Sequence, residues 1–197
     1  MNYLAHLYLS RNHEELTVGN FIADFFKGTD FSRFPPQISD GIRFHRHIDQ
    51  ITDTNPNYRH VKNLFIPSHS RYSAIVADVV LDYVFAKHWE TYNNGLTLQE
   101  FQTSVNKILL KHFAIMPIQA KVIIPFFVRN RWLTLYSDSS SMVQVLSGLK
   151  RFRRIPGDVD LAHSIYLNYQ DQIFVSFQLI FEDVHNSLLK NFNEYSL

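Results

Sequence analysis

The chain of 197 residues contains no cysteine. A disulfide framework and a thiolate metal centre are both excluded, so any bound metal must take nitrogen or oxygen donors from His, Asp, Glu or Asn. Glycine and proline are scarce, with 6 and 7. No Gly/Ser linker, internal repeat or low-complexity segment divides the chain. Long apolar runs are missing as well. The longest candidate, Tyr72 to Ala86, contains Asp78 and Asp82, and it falls short of the ~20 residues that span a bilayer. The first residues, Met1-Asn2-Tyr3-Leu4-Ala5-His6, lack the basic start and apolar centre of a secretory leader. A soluble cytoplasmic protein without a membrane partner is expected. The formal net charge is only +1, which argues against a dedicated nucleic-acid binder.

What is abundant is apolar material. Hydrophobic residues make up 46% of the chain, with 17 Phe and 10 Tyr. That excludes disorder and suffices for one sizeable core, and the length suits one domain. Strand-type alternation is rare and apolar spacing is helical. The expected fold is an all-α, single-domain helical bundle spanning 1–197. Helices are predicted near residues 2–10, from Glu14 to Lys27 with Gly28 as a stop, and from Ile38 to Thr52 after Pro35-Pro36. Asn55 and Pro56 form an N-cap and a first-turn proline. Ser68 or Ser70 is expected to cap a long helix reaching Tyr92, which Asn93-Asn94-Gly95 ends. Thr97 and Glu100 have the spacing of a capping box. Pro117 opens a helix towards Tyr136, Ser139 to Phe152 forms another, and Asp158 to Tyr195 forms one helix or two.

The functional signal is acid where grease belongs. The segment Ala74 to Phe85 is apolar nearly all round, yet Asp78 and Asp82 share one face at i and i+4. A buried carboxylate is costly unless it is paired or ligates a metal. A metal or catalytic role and a pair of buried salt bridges are the two readings. Asp24 is the one charge in Phe21-Ile22-Ala23-Asp24-Phe25-Phe26. Asn20 precedes it by a turn on the same face, where a further ligand and a buried amide hydrogen bond are the two readings, the amide being the expected one. His45 and Asp49 project together at i and i+4, a half-site for a divalent ion. His47 points elsewhere, and Arg46 is expected to face solvent. His6 lies among Leu4, Ala5, Leu7 and Leu9, where a hydrogen-bonded core histidine and a functional one are both possible. Four helices each bring a polar residue to an apolar bundle, which is how bundles build metal sites.

These segments resemble the acyl carrier protein phosphodiesterase family. The likeness is carried by Asn2-Tyr3-Leu4-Ala5-His6-Leu7, Gly19-Asn20-Phe21-Ile22-Ala23-Asp24-Phe25, Gly41-Ile42-Arg43-Phe44-His45-Arg46-His47-Ile48-Asp49 and Thr52-Asp53, then by Asp78, Asp82-Tyr83 and His88-Trp89. It is collinear to about residue 90 and looser through Arg131-Trp132-Leu133 and Gly148-Leu149. The resemblance implies a distorted relative of the HD phosphohydrolase fold, although this chain has no His-Asp dipeptide. It implies hydrolysis of the bond between 4′-phosphopantetheine and the serine of holo-acyl carrier protein, and dependence on a divalent ion, with manganese favoured.

On that reading Asp24, His45, Asp49 and Asp78 are candidate metal ligands, with Asp82 in direct or indirect support. His6, Asp24 and Asp78 are the candidate catalytic residues, His6 as proton donor or metal-orienting group. Lys150, Arg151, Arg153 and Arg154 form a basic run that an acidic carrier protein would meet; a solvated helix end is the plainer alternative. Two rival functions remain at this point. One is an HD-type hydrolase of nucleotides or other small phosphoesters, and the other a non-catalytic helical module that binds an acidic partner.

Overall fold

Short polar signals set several helix ends where the residues foretell them. In the computed structural model, which describes residues 1, 3–93, 95–137, 141–152 and 154–195, every regular element is helical. Asn55 accepts from the backbone N–H of Asn57 and opens α4 (Pro56–Leu64). Thr97 and Glu100 complete a reciprocal capping box at α8 (Leu98–Lys111). Asp158 accepts from Leu161 N–H and starts α11 (Val159–Asn191), one unbroken helix of 33 residues, about 50 Å long. The predicted helix start at Ser139, Asn2, Asn94 and Arg153 lie outside the described residues; α10 runs over Ser141–Phe152.

Other boundaries move. The helix expected to reach Lys27 stops as α2 (Glu14–Ile22), and its end tightens into a 3₁₀ turn, Ala23–Phe25. The long helix expected from Ser68 or Ser70 is interrupted. A short α5 (Ile66–His69) meets a 3₁₀ turn at Ser70, whose φ is +48°, before α6 (Ser73–Lys87) and α7 (Trp89–Tyr92). Neither serine caps α6. Pro117 does precede α9 (Ile118–Arg129), but the chain then breaks at Arg131, with φ +47°, into a 3₁₀ stretch.

α6 is apolar nearly all round, Asp78 and Asp82 apart, and lies in the core. Around it pack α1 (Tyr3–Leu9), α4, α10 and α11. α2 and α3 (Pro36–Thr54) form the tightest pair in the fold. A Cβ on Gly19 would lie 2.0 Å from Ile38 O, and one on Gly41 would lie 2.3 Å from Leu16 O. Only two glycines let these backbones touch, and that approach sets the reach of the site residues. Among the described residues no helix is long and apolar enough to cross a membrane.

Candidate active site

The face of α6 that carries Asp78 and Asp82 meets the start of α1. Leu4 N–H donates to Asp82 Oδ2 at 2.8 Å and Ala5 N–H to Oδ1 at 3.4 Å. Asp82 is fully buried, and its charge satisfies first-turn N–H groups and faces the positive end of the α1 dipole. The sequence reading placed Asp82 beside the metal; the structure aims it at α1, and it does not line the cavity described below. Asp78 Oδ1 accepts from the Met1 ammonium at 2.8 Å and from the Tyr58 hydroxyl at 3.0 Å. Burial and then Asp78 raise the Tyr58 pKa, so this hydroxyl keeps its proton. Burial lowers the Met1 ammonium, but Asp78 overcomes it and the net shift is upward.

With α1 so anchored, His6 points into a cavity of about 260 Å³. Met1, Tyr3, Asn20, Asp24, His45, Asp49, Asp53 and Asp78 also line it. Among the described residues no lysine or arginine does. Four carboxylates thus share a small space without a lysine or arginine side chain among the described residues.

Two imidazoles and a carboxylate form the centre. His6 Nε2 lies 3.3 Å from Asp49 Oδ1, and His45 Nε2 lies 3.2 Å from Asp49 Oδ2. Asp24 Oδ1 approaches His45 Nε2 at 3.4 Å. One donor atom from each of His6, His45 and Asp49 lies within 4.8 Å of the other two. The far side of both rings meets Asn20, whose Oδ1 lies 3.2 Å from His6 Nδ1 and 3.0 Å from His45 Nδ1. Both histidines and Asn20 are buried, while the Asp24 and Asp49 side chains are nearly half exposed. The cluster therefore has a dry floor and a carboxylate mouth.

The electrostatics follow from this crowding. Burial and the neighbouring His45 lower the pKa of His6. Burial also pulls on His45, but hydrogen bonds to Asp24 and Asp49 prevail and raise it to about 9. Burial opposes ionisation of Asp49 and Asp24, yet the histidines hold both below the usual carboxylate range. Asp53 moves the other way, raised by burial and by Asp49 and Asp78. Without metal, a proton on His45 is the cation that two carboxylates clasp. The donor set is nitrogen and oxygen only, which suits a borderline or hard divalent ion.

The sequence-predicted residues His6, Asp24, His45, Asp49 and Asp78 thus share one cavity, with Asp82 behind it. Among the lining acids, Asp53 was not predicted as a site residue. Asp53 follows His45 and Asp49 at a further i+4 step, and that periodicity was the available signal. Asn20 joins two histidines 14 and 25 residues away, which no local pattern displays. Arg46, expected in solvent, donates to Phe26 O at 3.1 Å and Gly28 O at 2.8 Å and holds the loop that follows Asp24. Lys150, Arg151 and Arg154 are exposed at and beyond the end of α10 and do not line the cavity.

Comparison with known proteins gives the family of the chain. The family model described as acyl carrier protein phosphodiesterase matches residues 1–184. Acyl carrier protein phosphodiesterase of Yersinia pestis is 32% identical over 182 residues, 90% of this chain and 93% of the relative. The Serratia proteamaculans (strain 568) protein of that name is 33% identical over 149 residues, covering 76% and 77% of the two chains. The Escherichia coli O6:K15:H31 protein is 32% identical with the same coverage. No solved structure matches. The chain belongs to the acyl carrier protein phosphodiesterase family.

Proposed function

We propose that this chain hydrolyses the phosphodiester joining 4′-phosphopantetheine to the serine of holo-acyl carrier protein, releasing apo-carrier protein and 4′-phosphopantetheine. The observation that carries the reading is the convergence of His6, His45 and Asp49 in a carboxylate-lined cavity, in a chain of this family. The relatives are named for the carrier-protein substrate, and this disfavours the nucleotide hydrolase and the non-catalytic module. An HD-like ancestry of the fold belongs to the same proposal.

A divalent ion fits the donor set, and Mn²⁺ is the preferred candidate. His6, His45 and Asp49 would hold it, with Asp24 beside His45. Asp78 lines the wall, occupied by Met1 and Tyr58. When bound, such an ion lowers the pKa of water and neutralises phosphate charge. The protein's own residues do the rest. Asn20 orients the imidazoles. His6 has a lowered pKa and both ring nitrogens engaged, which suits a neutral ligand rather than a proton donor. Asp53, whose pKa is raised by burial and by Asp49 and Asp78, lines the same cavity. Water adds to phosphorus, the bond to the serine oxygen breaks, and the proton lost by the water restores the serine hydroxyl.

Lys150, Arg151 and Arg154 supply positive charge that favours encounter with an acidic carrier protein, acting mainly on association rate; Arg153 extends the run in sequence. The decisive experiment is incubation with holo-acyl carrier protein and Mn²⁺, followed by mass measurement of the carrier. Loss of the phosphopantetheine mass is expected. An unchanged carrier, at enzyme concentrations that saturate it, overturns the reading.

A further inference from the structure

We infer that Asn20 is a positioning residue whose single carbonyl oxygen holds a hydrogen on Nδ1 of both His6 and His45 and so turns both Nε2 atoms towards the cavity. The argument begins with the other end of the amide. Asn20 Nδ2 lies 2.6 Å from the backbone oxygen of His6 and 3.2 Å from Ser10 Oγ. A carbonyl oxygen only accepts, so the amide nitrogen must sit there. Ser10 is itself tied to the backbone oxygens of His6 and Leu7. The amide is therefore locked, and Oδ1 faces the rings.

An oxygen facing both Nδ1 atoms demands a hydrogen on each. A neutral imidazole has one N–H, so Nε2 is left with its lone pair in His6, and in His45 once the proton that Asp24 and Asp49 clasp has gone. Both lone pairs then point at Asp49, at 3.3 and 3.2 Å. Two lone pairs and a carboxylate repel unless something positive lies among them: the His45 proton in the metal-free protein, or a divalent ion in its place. One amide thus creates a binding site for a cation without touching it, as partners behind a metal-binding histidine commonly do. The role depends on the close α2–α3 crossing, because Asn20 must reach α1 and α3 at once.

The metal half of this inference rests on the proposed function; the tautomer half does not. The test uses metal-free full-length protein labelled with ¹⁵N at histidine. At neutral pH the wild-type His6 ring is expected to show Nδ1–H in long-range proton–nitrogen spectra. In Asn20→Ala, Nδ1 loses its acceptor while Asp49 still faces Nε2, so the proton is expected to move to Nε2. Mn²⁺ affinity, measured by titration, should fall about 10–100-fold, with unchanged far-ultraviolet circular dichroism. Asn20→Asp keeps the acceptor, so it should retain Nδ1–H and bind Mn²⁺ better than the alanine variant. Retention of Nδ1–H in Asn20→Ala, or wild-type Mn²⁺ affinity there, overturns the inference. If Asn20→Ala does not fold, Asn20→Asp decides, and an Nε2–H tautomer in it is the overturning result. If wild type binds no Mn²⁺ but the tautomer flips, the metal reading fails and the positioning role stands.

Discussion

His6 and His45 stand with ring centroids 4.2 Å apart, and each directs Nε2 at a different oxygen of Asp49. On the proposed function, a side chain from α1 and one from α3 would act as a single two-toothed donor. Replacing either by alanine is expected to lower the turnover of holo-acyl carrier protein by at least about 100-fold, about 2.7 kcal/mol of barrier. Mn²⁺ titration should show a parallel loss of affinity. Turnover near the wild-type rate in His6→Ala would remove α1 from the site.

The Gly19–Gly41 contact is what lets those teeth meet. Alanine at either position places a methyl group against backbone, which does not yield as a flexible side chain would. Gly19→Ala and Gly41→Ala should each cost at least about 1–3 kcal/mol of stability and weaken Mn²⁺ binding as well. Urea unfolding with and without metal checks both. An alanine variant with unchanged midpoint would show that α2 and α3 can separate freely.

Asp82 and Asp49 should fail differently. Asp82 holds the first turn of α1 from a fully buried position. Asp82→Ala leaves those N–H groups without their charged acceptor, and the expected loss is about 2–3 kcal/mol of stability. Asp49→Ala, whose side chain is nearly half exposed, should abolish activity with a much smaller change in stability. Equal thermal shifts for the two variants would contradict this division.

Acid should loosen the seat of α2. Glu14, in its first turn, meets Lys111 and His112 at 2.7 Å each. These hydrogen bonds hold its pKa below the ordinary 4.5. A depressed folded pKa contributes stability that is complete above 4.5 and is lost as pH falls through the folded value. Glu14→Gln should therefore unfold less steeply with falling pH below 4.5 than wild type. Parallel acid-denaturation curves would deny the contact any role.

The basic run beyond α10 predicts a rate effect. Lys150→Glu with Arg151→Glu should reduce kcat/KM for holo-acyl carrier protein and flatten its dependence on salt, leaving kcat at saturation unchanged. Identical salt curves for variant and wild type would place docking elsewhere.

Local chemistry alone determined the helical class and many helix starts. Asn55 with Pro56, Thr97 with Glu100, and Asp158 announce themselves because a cap involves residues two or three apart. His45 and Asp49 were legible for the same reason, since a helix brings i and i+4 together. Asp24, Asp78 and Asp82 were visible as acids in apolar segments, but their partners were not. Asp82 bonds to Leu4 across 78 positions, and Asp78 to Tyr58 across 20. Which buried acid faces the cavity and which holds a helix end depends on how α1 lies on α6, and only the folded chain decides that. Asn20 read as a buried amide or a further ligand, and the two histidines it joins came into view only with α1 and α3 packed on either side of it. Periodicity reports which face of a helix is buried; it cannot report what that face will meet.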